Sequence, residues 1–286
     1  MQCIYRSAIL LVFLSGIGSA TTVRAELLVD PTGGMTLLNG SQGDDAVATI
    51  NSGGSFGGLF FGASVGPITV AENGNLNFSG DDFFFPSALD DFPGVARISP
   101  LWDDVLMLDG ANNEVIDHSV SGQYIGITWK NARLFNETVA GQPLPDTDRS
   151  FQALWFEAPT TIKGVQFNPN EIVFSYVGHV AGTSNFGPIF ATTGLTDGVS
   201  RFTPLPGDAD GFITENQSTL LAWEPGSYLV FRPVTTGSTT NYVASKEFAT
   251  AVAEPSTVVA FSVLLCGVGF RYHHRMRRQR LSVHAG

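Results

Sequence analysis

Two clusters of acidic residues contain side chains of the type that bind a hard cation. Calcium takes roughly six to eight oxygen ligands from several directions, and carboxylates commonly supply them. Closely spaced aspartates also form turns, because their carboxylates accept hydrogen bonds from nearby backbone amides. We favour the turn interpretation and keep calcium as the candidate cofactor. The clusters are Asp103, Asp104 and Asp109, and Asp208, Asp210 and Glu215.

Candidate pairs of nucleophile and base are scarce between residues 26 and 254. The histidines there are His118 and His179, and neither begins a His-Glu-x-x-His motif. Ser175 and His179 would share a strand face, but at roughly 3.3 Å per residue they lie about 13 Å apart, too far for proton transfer. We therefore assign no catalytic residue and predict that the protein is not an enzyme. A pair of carboxylates that cleaves a glycosidic bond is the enzymatic alternative.

Acidic residues dominate the chain between its two ends. All 26 of them lie between Glu26 and Glu254, together with eight of the 15 basic residues, so this part has a formal charge of −18. Such a charge repels nucleic acid, which we exclude as a partner, and attracts divalent cations or basic partners. Cys3 precedes the N-terminal apolar run and Cys266 lies in the C-terminal one, so we expect no disulfide in the domain between them.

Alternating apolar residues predict strands throughout the central part of the chain. Asn73-Gly74 suits the positive φ values of a hairpin turn. Strands with large side chains on both faces belong inside stacked sheets, so we predict an all-β fold of the β-sandwich type. The predicted strands include residues 68–71, 75–78, 123–129, 151–157 and 172–176.

The domain plan follows from changes in composition. Residues 233–253 are rich in threonine and serine and poor in bulky apolar groups, which predicts a spacer. The predicted parts are a signal peptide (1–25), a lead-in (26–55), a β domain (56–232), the spacer (233–253) and a C-terminal sorting segment (254–280).

The two ends predict export and a membrane helix. An apolar run and small residues before the predicted cleavage between Ala25 and Glu26 are typical of a signal peptide. Residues 257–270 predict a short apolar helix, and five arginines follow between residues 271 and 280. Because basic residues resist translocation, we expect this helix to lie in the membrane with its basic end in the cytoplasm.

A short motif precedes that helix and the arginine cluster. It consists of Ala253, Glu254, Pro255 and Ser256. In this order the three features resemble the PEP-CTERM sorting domain, in which a proline usually stands at the position of Ala253. The resemblance implies recognition by an exosortase-type processing enzyme, with the chain held in the membrane by its helix before processing. It also implies a location at the cell surface or in the extracellular matrix.

Several blocks of residues follow one another in the β domain. They are residues 68–70 with 73–78, 98–105, 127–129, 150–154, 172–176 and 193–198. In this order the blocks resemble the NIDO domain of extracellular matrix and adhesive proteins, a family with no established catalytic residues. The resemblance therefore implies an adhesive or structural role, with a matrix protein or polysaccharide as partner; a carbohydrate-binding or carbohydrate-cleaving domain is the alternative.

Overall fold

Antiparallel strands make up the regular secondary structure of the described residues. The computed structural model describes residues 26–39, 41–42, 45–50, 56–78, 89, 95–103, 105–106, 113–134, 138–139, 142–143, 149–177, 191–213, 221, 224 and 226–249. The strands are β1 (Met35–Asn39), β2 (Val47–Ile50), β3 (Leu59–Phe60), β4 (Ala63–Ser64), β5 (Ile68–Ala71), β6 (Asn75–Asn77), β7 (Arg97–Trp102), β8 (Val105–Leu106), β9 (Glu114–Asp117), β10 (Tyr124–Leu134), β11 (Thr138–Val139), β12 (Gln142–Pro143), β13 (Arg149–Phe156), β14 (Thr160–Ile162), β15 (Val165–Phe167), β16 (Ile172–Val177), β17 (Ala191–Thr196), β18 (Phe202–Pro204), β19 (Phe212–Ile213), β20 (Ser227–Thr236) and β21 (Thr239–Phe248).

Two large sheets contain most of these strands. The eight-stranded sheet has the order β1-β9-β10-β13-β16-β20-β21, with β8 beside β10. The seven-stranded sheet has the order β18-β17-β7-β6-β5-β2, with β19 beside β17. Short pairs β3–β4, β11–β12 and β14–β15 complete the described part. The prediction of an all-β, β-sandwich-like architecture is confirmed.

The main hydrophobic core lies between the two sheets. Alternate residues of β10 and β13, including Ile127, Trp129 and Phe151, are buried in one cluster with Val70 and other residues of the seven-stranded sheet. Trp129 stacks on Phe151 with ring centroids 5.1 Å apart, and its Nε1 donates a hydrogen bond to Ala71 O at 2.9 Å. This bond joins the sheets, because Ala71 belongs to β5 of the opposite sheet.

The outer face of the eight-stranded sheet carries a second, smaller apolar cluster. Leu154 and Phe156 of β13 point to this side, which explains why β13 has large side chains on both faces. Residues 26–30 and the β14–β15 hairpin cover the cluster, to which they contribute Leu28 and Phe167. Phe167 stacks on Phe156 at a centroid distance of 4.7 Å.

The hairpin predicted around Asn73-Gly74 is confirmed. It joins β5 to β6, and Gly74 has a φ of +83°. A Cβ at Gly74 would lie 2.0 Å from Leu101 O, so both the backbone conformation and the close approach require glycine. Asn73 ties the turn to its surroundings, since its Nδ2 donates to Asp45 and its Oδ1 accepts from Val105 N.

The spacer predicted for residues 233–253 is wrong over its described part. Residues 233–248 belong to the β20–β21 hairpin, whose strands pair in register from Ser227–Phe248 to Thr236–Thr239. Threonine, valine and tyrosine favour strands, and Gly237, with a φ of +63°, permits the tight turn. The outer part of this hairpin is exposed, so its sequence lacks the bulky apolar residues of a buried strand.

Side chains cover part of the free edge of β21, the last strand of the eight-stranded sheet. Arg201 Nη1 donates to Thr240 O at 2.9 Å and to Phe61 O at 3.0 Å. Thr203 Oγ1 donates to Tyr242 O at 3.2 Å. The outward carbonyls of Thr240 and Tyr242 therefore have hydrogen-bond donors from within the chain.

Asp197 holds Arg201 in place. Its Oδ1 accepts hydrogen bonds from the backbone amides of Val199, Ser200 and Arg201, and its Oδ2 lies 2.5 Å from Arg201 Nε. Burial disfavours the charged carboxylate, but these donors outweigh burial and lower the pKa of Asp197 to about 2. The loop before β18 is thus an anchor for the guanidinium.

Candidate functional site

A row of three polar side chains crosses the outer face of the eight-stranded sheet. Thr128 on β10, Gln152 on β13 and Ser175 on β16 are register partners on neighbouring strands. Their exposed fractions are 0%, 0% and 2%. Buried polar groups are costly unless they are hydrogen-bonded, so the row depends on partners from whatever covers it.

Residues 26–30, which we call the N-terminal strap, supply those partners. Gln152 Oε1 accepts a hydrogen bond from Val29 N at 3.1 Å, and Gln152 Nε2 donates to Val29 O at 3.0 Å. Ser175 Oγ accepts from Leu28 N at 3.2 Å. Because Val29 offers both a donor and an acceptor, the orientation of the Gln152 amide is fixed; a flipped amide would lose both bonds.

His118 follows β9 and lays its ring over β10. A Cβ at Gly126 would lie 2.5 Å from the imidazole Cε1, so glycine makes room for the ring. His118 Nε2 lies 3.1 Å from Gln152 Nε2 and 2.9 Å from Thr128 Oγ1. Gln152 Nε2 has two hydrogens and also donates to Thr128 Oγ1 at 2.9 Å. His118 Nε2 can accept from Gln152 or from the Thr128 hydroxyl only in the neutral imidazole that carries its proton on Nδ1.

The surroundings of His118 keep it unprotonated. Burial lowers its pKa to about 4, and the negative charges of Asp117 and Asp30 oppose burial only in part. Its acceptor nitrogen contacts Gln152 and Thr128, whereas the Ser175 hydroxyl lies 3.4 Å from Gln152 Oε1. A general base must contact its nucleophile, and His118 does not contact Ser175. The arrangement therefore supports hydrogen bonding to the strap and not nucleophilic catalysis by Ser175.

The β14–β15 hairpin adds a cation at the end of the strap. Lys163 and Gly164 form its two-residue turn with φ values of +48° and +79°, the signs that a type I′ turn requires. Lys163 Nζ donates to Leu27 O at 2.7 Å and lies 3.0 Å from a carboxylate oxygen of Glu26. We use the name strap site for Thr128, Gln152, Ser175, His118 and Lys163.

The first acidic cluster is only partly described. Asp103 is 3% exposed, and its backbone N–H donates to Asn73 O at 3.2 Å. Its neighbour Trp102 is fully buried, with the Arg97 guanidinium 4.6 Å from the ring centroid. Asp104 and Asp109 lie outside the described residues.

The second acidic cluster is also partly described. Asp208 Oδ1 accepts a hydrogen bond from Ala209 N at 2.7 Å, as in a turn. Burial, together with the charge of Asp210, raises the pKa of Asp208. Glu215 lies outside the described residues. Within the ranges given above, no group of three or more His, Asp or Glu side chains is placed to hold a metal ion, and calcium binding stays a prediction.

The strap site is not evident from the sequence alone. There Ser175 has only His179 as a candidate partner, and His179 lies outside the described residues. The available signal is a polar residue next to an apolar one on the same strand face, as in Gln152 before Leu154 and Ser175 after Val173. That signal becomes specific only when the register aligns Thr128, Gln152 and Ser175.

The predicted processing sites fall at the limits of the described part. Glu26 is described and pairs with Lys163, whereas Ala25 and the sorting motif of Ala253, Glu254, Pro255 and Ser256 lie outside it. The same holds for the predicted helix of residues 257–270. Among the described residues, none forms a helix long and apolar enough to cross a membrane.

Comparisons of the chain with protein families, with curated proteins and with solved structures found no match.

Proposed function

We propose that this chain is an exported protein of the cell surface or extracellular matrix with an adhesive or structural role. Export and sorting are supported by the signal-peptide pattern before Glu26 and by the PEP-CTERM-like segment from Glu254. The blocks that resemble the NIDO domain support the adhesive role. In this proposal the chain is a substrate of an exosortase-type enzyme and is not itself an enzyme.

The partly covered edge of β21 is the observation that carries the structural role. Free strand edges recruit other strands and lead to uncontrolled aggregation, which natural sheets prevent by covering them. Here Arg201 and Thr203 donate hydrogen bonds to the outward carbonyls of Thr240 and Tyr242. These bonds disfavour uncontrolled strand pairing at that part of the edge when copies are crowded in a matrix.

The charges of the described part support contacts with cationic partners. Five of the eight basic side chains between residues 26 and 254 pair with carboxylates, and the surplus of acidic groups sets the surface potential. The pairs are Lys130–Glu114, Lys163–Glu26, Arg201–Asp197, Arg232–Glu171, Arg232–Glu247 and Lys246–Glu224. We therefore expect attachment that weakens as salt concentration rises.

Sorting is tested by intact mass and terminal peptide mapping of the protein recovered from the surface fraction of its native host. We expect a mature chain that starts at Glu26 and ends near Glu254. A Pro255→Ala variant should keep its C-terminal arginines and stay in the membrane fraction, whereas Thr257→Ala, the matched control, should be processed normally. A wild-type chain that retains residues 271–280 would contradict sorting.

Adhesion is tested by coating a surface with the purified protein and measuring attachment of host cells and of isolated matrix components. We expect retention of cells or matrix protein above that on an albumin-coated surface, with loss at high salt. Selective binding on a glycan array would favour the carbohydrate-binding alternative, and release of sugar from host polysaccharide would contradict the proposal that the chain is not an enzyme.

A further inference from the structure

The strap site recognises the strap mainly through its main chain. Ser175, Gln152 and Lys163 direct their hydrogen bonds to Leu28 N, to Val29 N and O, and to Leu27 O. One side chain adds an apolar anchor, because Leu28 is 4% exposed and belongs to the outer cluster. Peptide-binding sites use the same combination, in which main-chain bonds supply affinity and a side-chain pocket supplies specificity.

The strap lies outside both sheets and is joined to β1 by a turn. Asp30 Oδ1 accepts hydrogen bonds from the backbone N–H and the hydroxyl of Thr32, and Gly34 N donates to Pro31 O at 3.0 Å. Gly33 has a φ of +88° and open space around it. Residues 31–34 can therefore act as a hinge, since the strap can leave its site without breaking a pair of strands.

We propose that the strap site is a peptide-binding site that accepts residues 26–30 of a second copy of this chain as well as its own. Exchange of an identical segment between two copies re-forms every bond described above, so its cost is confined to the association itself. The inference rests on the proposed structural role and names its partner, a second copy. Exchange of the strap provides contacts between copies that do not use the edge of β21.

Exchange should depend on concentration in a defined way. A chain's own strap competes at an effective concentration on the order of millimolar, as expected for a short connection. The closed single copy should therefore dominate in dilute solution. Exchanged assemblies should appear when copies are crowded, as they are on a surface.

The first experiment uses a fluorescent synthetic peptide with the sequence of residues 26–34 and the full chain. A Leu28→Ala chain has a weakened strap, so we expect it to bind the peptide at least about tenfold more tightly than the wild-type chain, because competition by its own strap is reduced. A peptide with the same Leu28→Ala change is the matched control and should not bind. Ser175→Ala, which removes one acceptor, should weaken binding of the wild-type peptide to the Leu28→Ala chain.

The second experiment mixes two differently tagged wild-type copies and follows their association by light scattering and co-purification. We expect a dimer fraction that rises with concentration and falls about tenfold when both copies carry Leu28→Ala. Failure of the peptide to bind a folded Leu28→Ala chain, or a dimer fraction unaffected by strap substitutions, would overturn the inference. Loss of cell attachment with exchange intact would instead contradict only the proposed adhesive function.

Discussion

Acid should destabilise the protein through His118. Its Nε2 lies 3.1 Å from Gln152 Nε2, a donor whose orientation is fixed by Val29. A proton on His118 Nε2 would face that donor, so the protonated imidazole cannot accept a hydrogen bond from it. The perturbation is therefore a fall in pH from 7.5 to about 3.5, which spans the ordinary pKa of histidine.

The sign and size of the effect follow from the two protonation equilibria. The pKa of His118 is about 4 in the folded protein, against 6.5 as the ordinary value. Between these values the unfolded chain binds more protons, so the free energy of unfolding falls as the pH falls from 6.5 to 4 and does not fall further through this group below 4. The difference between the two pKa values corresponds to a loss of at most about 3 kcal/mol in the free energy of unfolding. Partial exposure of the ring reduces this loss.

Denaturant unfolding at a series of pH values measures this contribution. A His118→Gln variant stays neutral at every pH and serves as the reference. Relative to this variant, the wild type should lose about 2–3 kcal/mol between pH 6.5 and 4. Carboxylates such as Asp197, with a pKa of about 2, titrate in both proteins, so their contributions to stability cancel in the comparison.

If the free energies of unfolding of the wild type and of His118→Gln change in parallel with pH, His118 does not cause the loss of stability in acid. If the variant does not fold, the pKa of the imidazole can be read by NMR from the shift of its Cε1 proton in the wild type. A value near 6.5 would then show that the ring is solvated and that the strap does not bury it.

Three further substitutions test the packing described above by denaturant unfolding. Trp129→Phe removes the bond to Ala71 and part of the ring volume, and should cost about 2–3 kcal/mol; an unchanged midpoint would contradict a cross-sheet role. Arg201→Met leaves the Thr240 carbonyl without its donor and should cost about 2 kcal/mol, with more aggregation by light scattering than the wild type. Gly126→Ala should displace the imidazole, cost about 1–3 kcal/mol and abolish the acid-dependent loss of stability; retention of that loss would show that the ring does not need this space.

Local patterns in the sequence predict much of the large sheet. In β10 and β13 the alternation assigns Trp129, Phe151 and Trp155 to one face, and the structure places them in the main core. The hairpin at Asn73-Gly74 was also predictable from the sequence, although only Gly74 of the two residues has the positive φ. Such features need no knowledge of neighbouring strands.

Features that depend on solvent exposure or on strand register could not be predicted from the sequence. Residues 233–241 of the β20–β21 hairpin include no buried side chain, and the Gly237-Ser238 turn is a weak signal beside a run of threonines. The strap site depends on the register of β10, β13 and β16, which no single strand encodes. Calcium binding and the sorting motif remain predictions, since part or all of their residues lie outside the described ranges.

The strap also has a consequence for the order of folding during export. Leu28 and its acceptor Ser175 are 147 residues apart, and Val29 and Gln152 are 123 residues apart. Contacts between residues so distant in sequence form late, because a long loop must close first. If the chain is exported as proposed, the strap has no site until β16 has emerged. In that proposal, cleavage between Ala25 and Glu26 would precede docking of the strap.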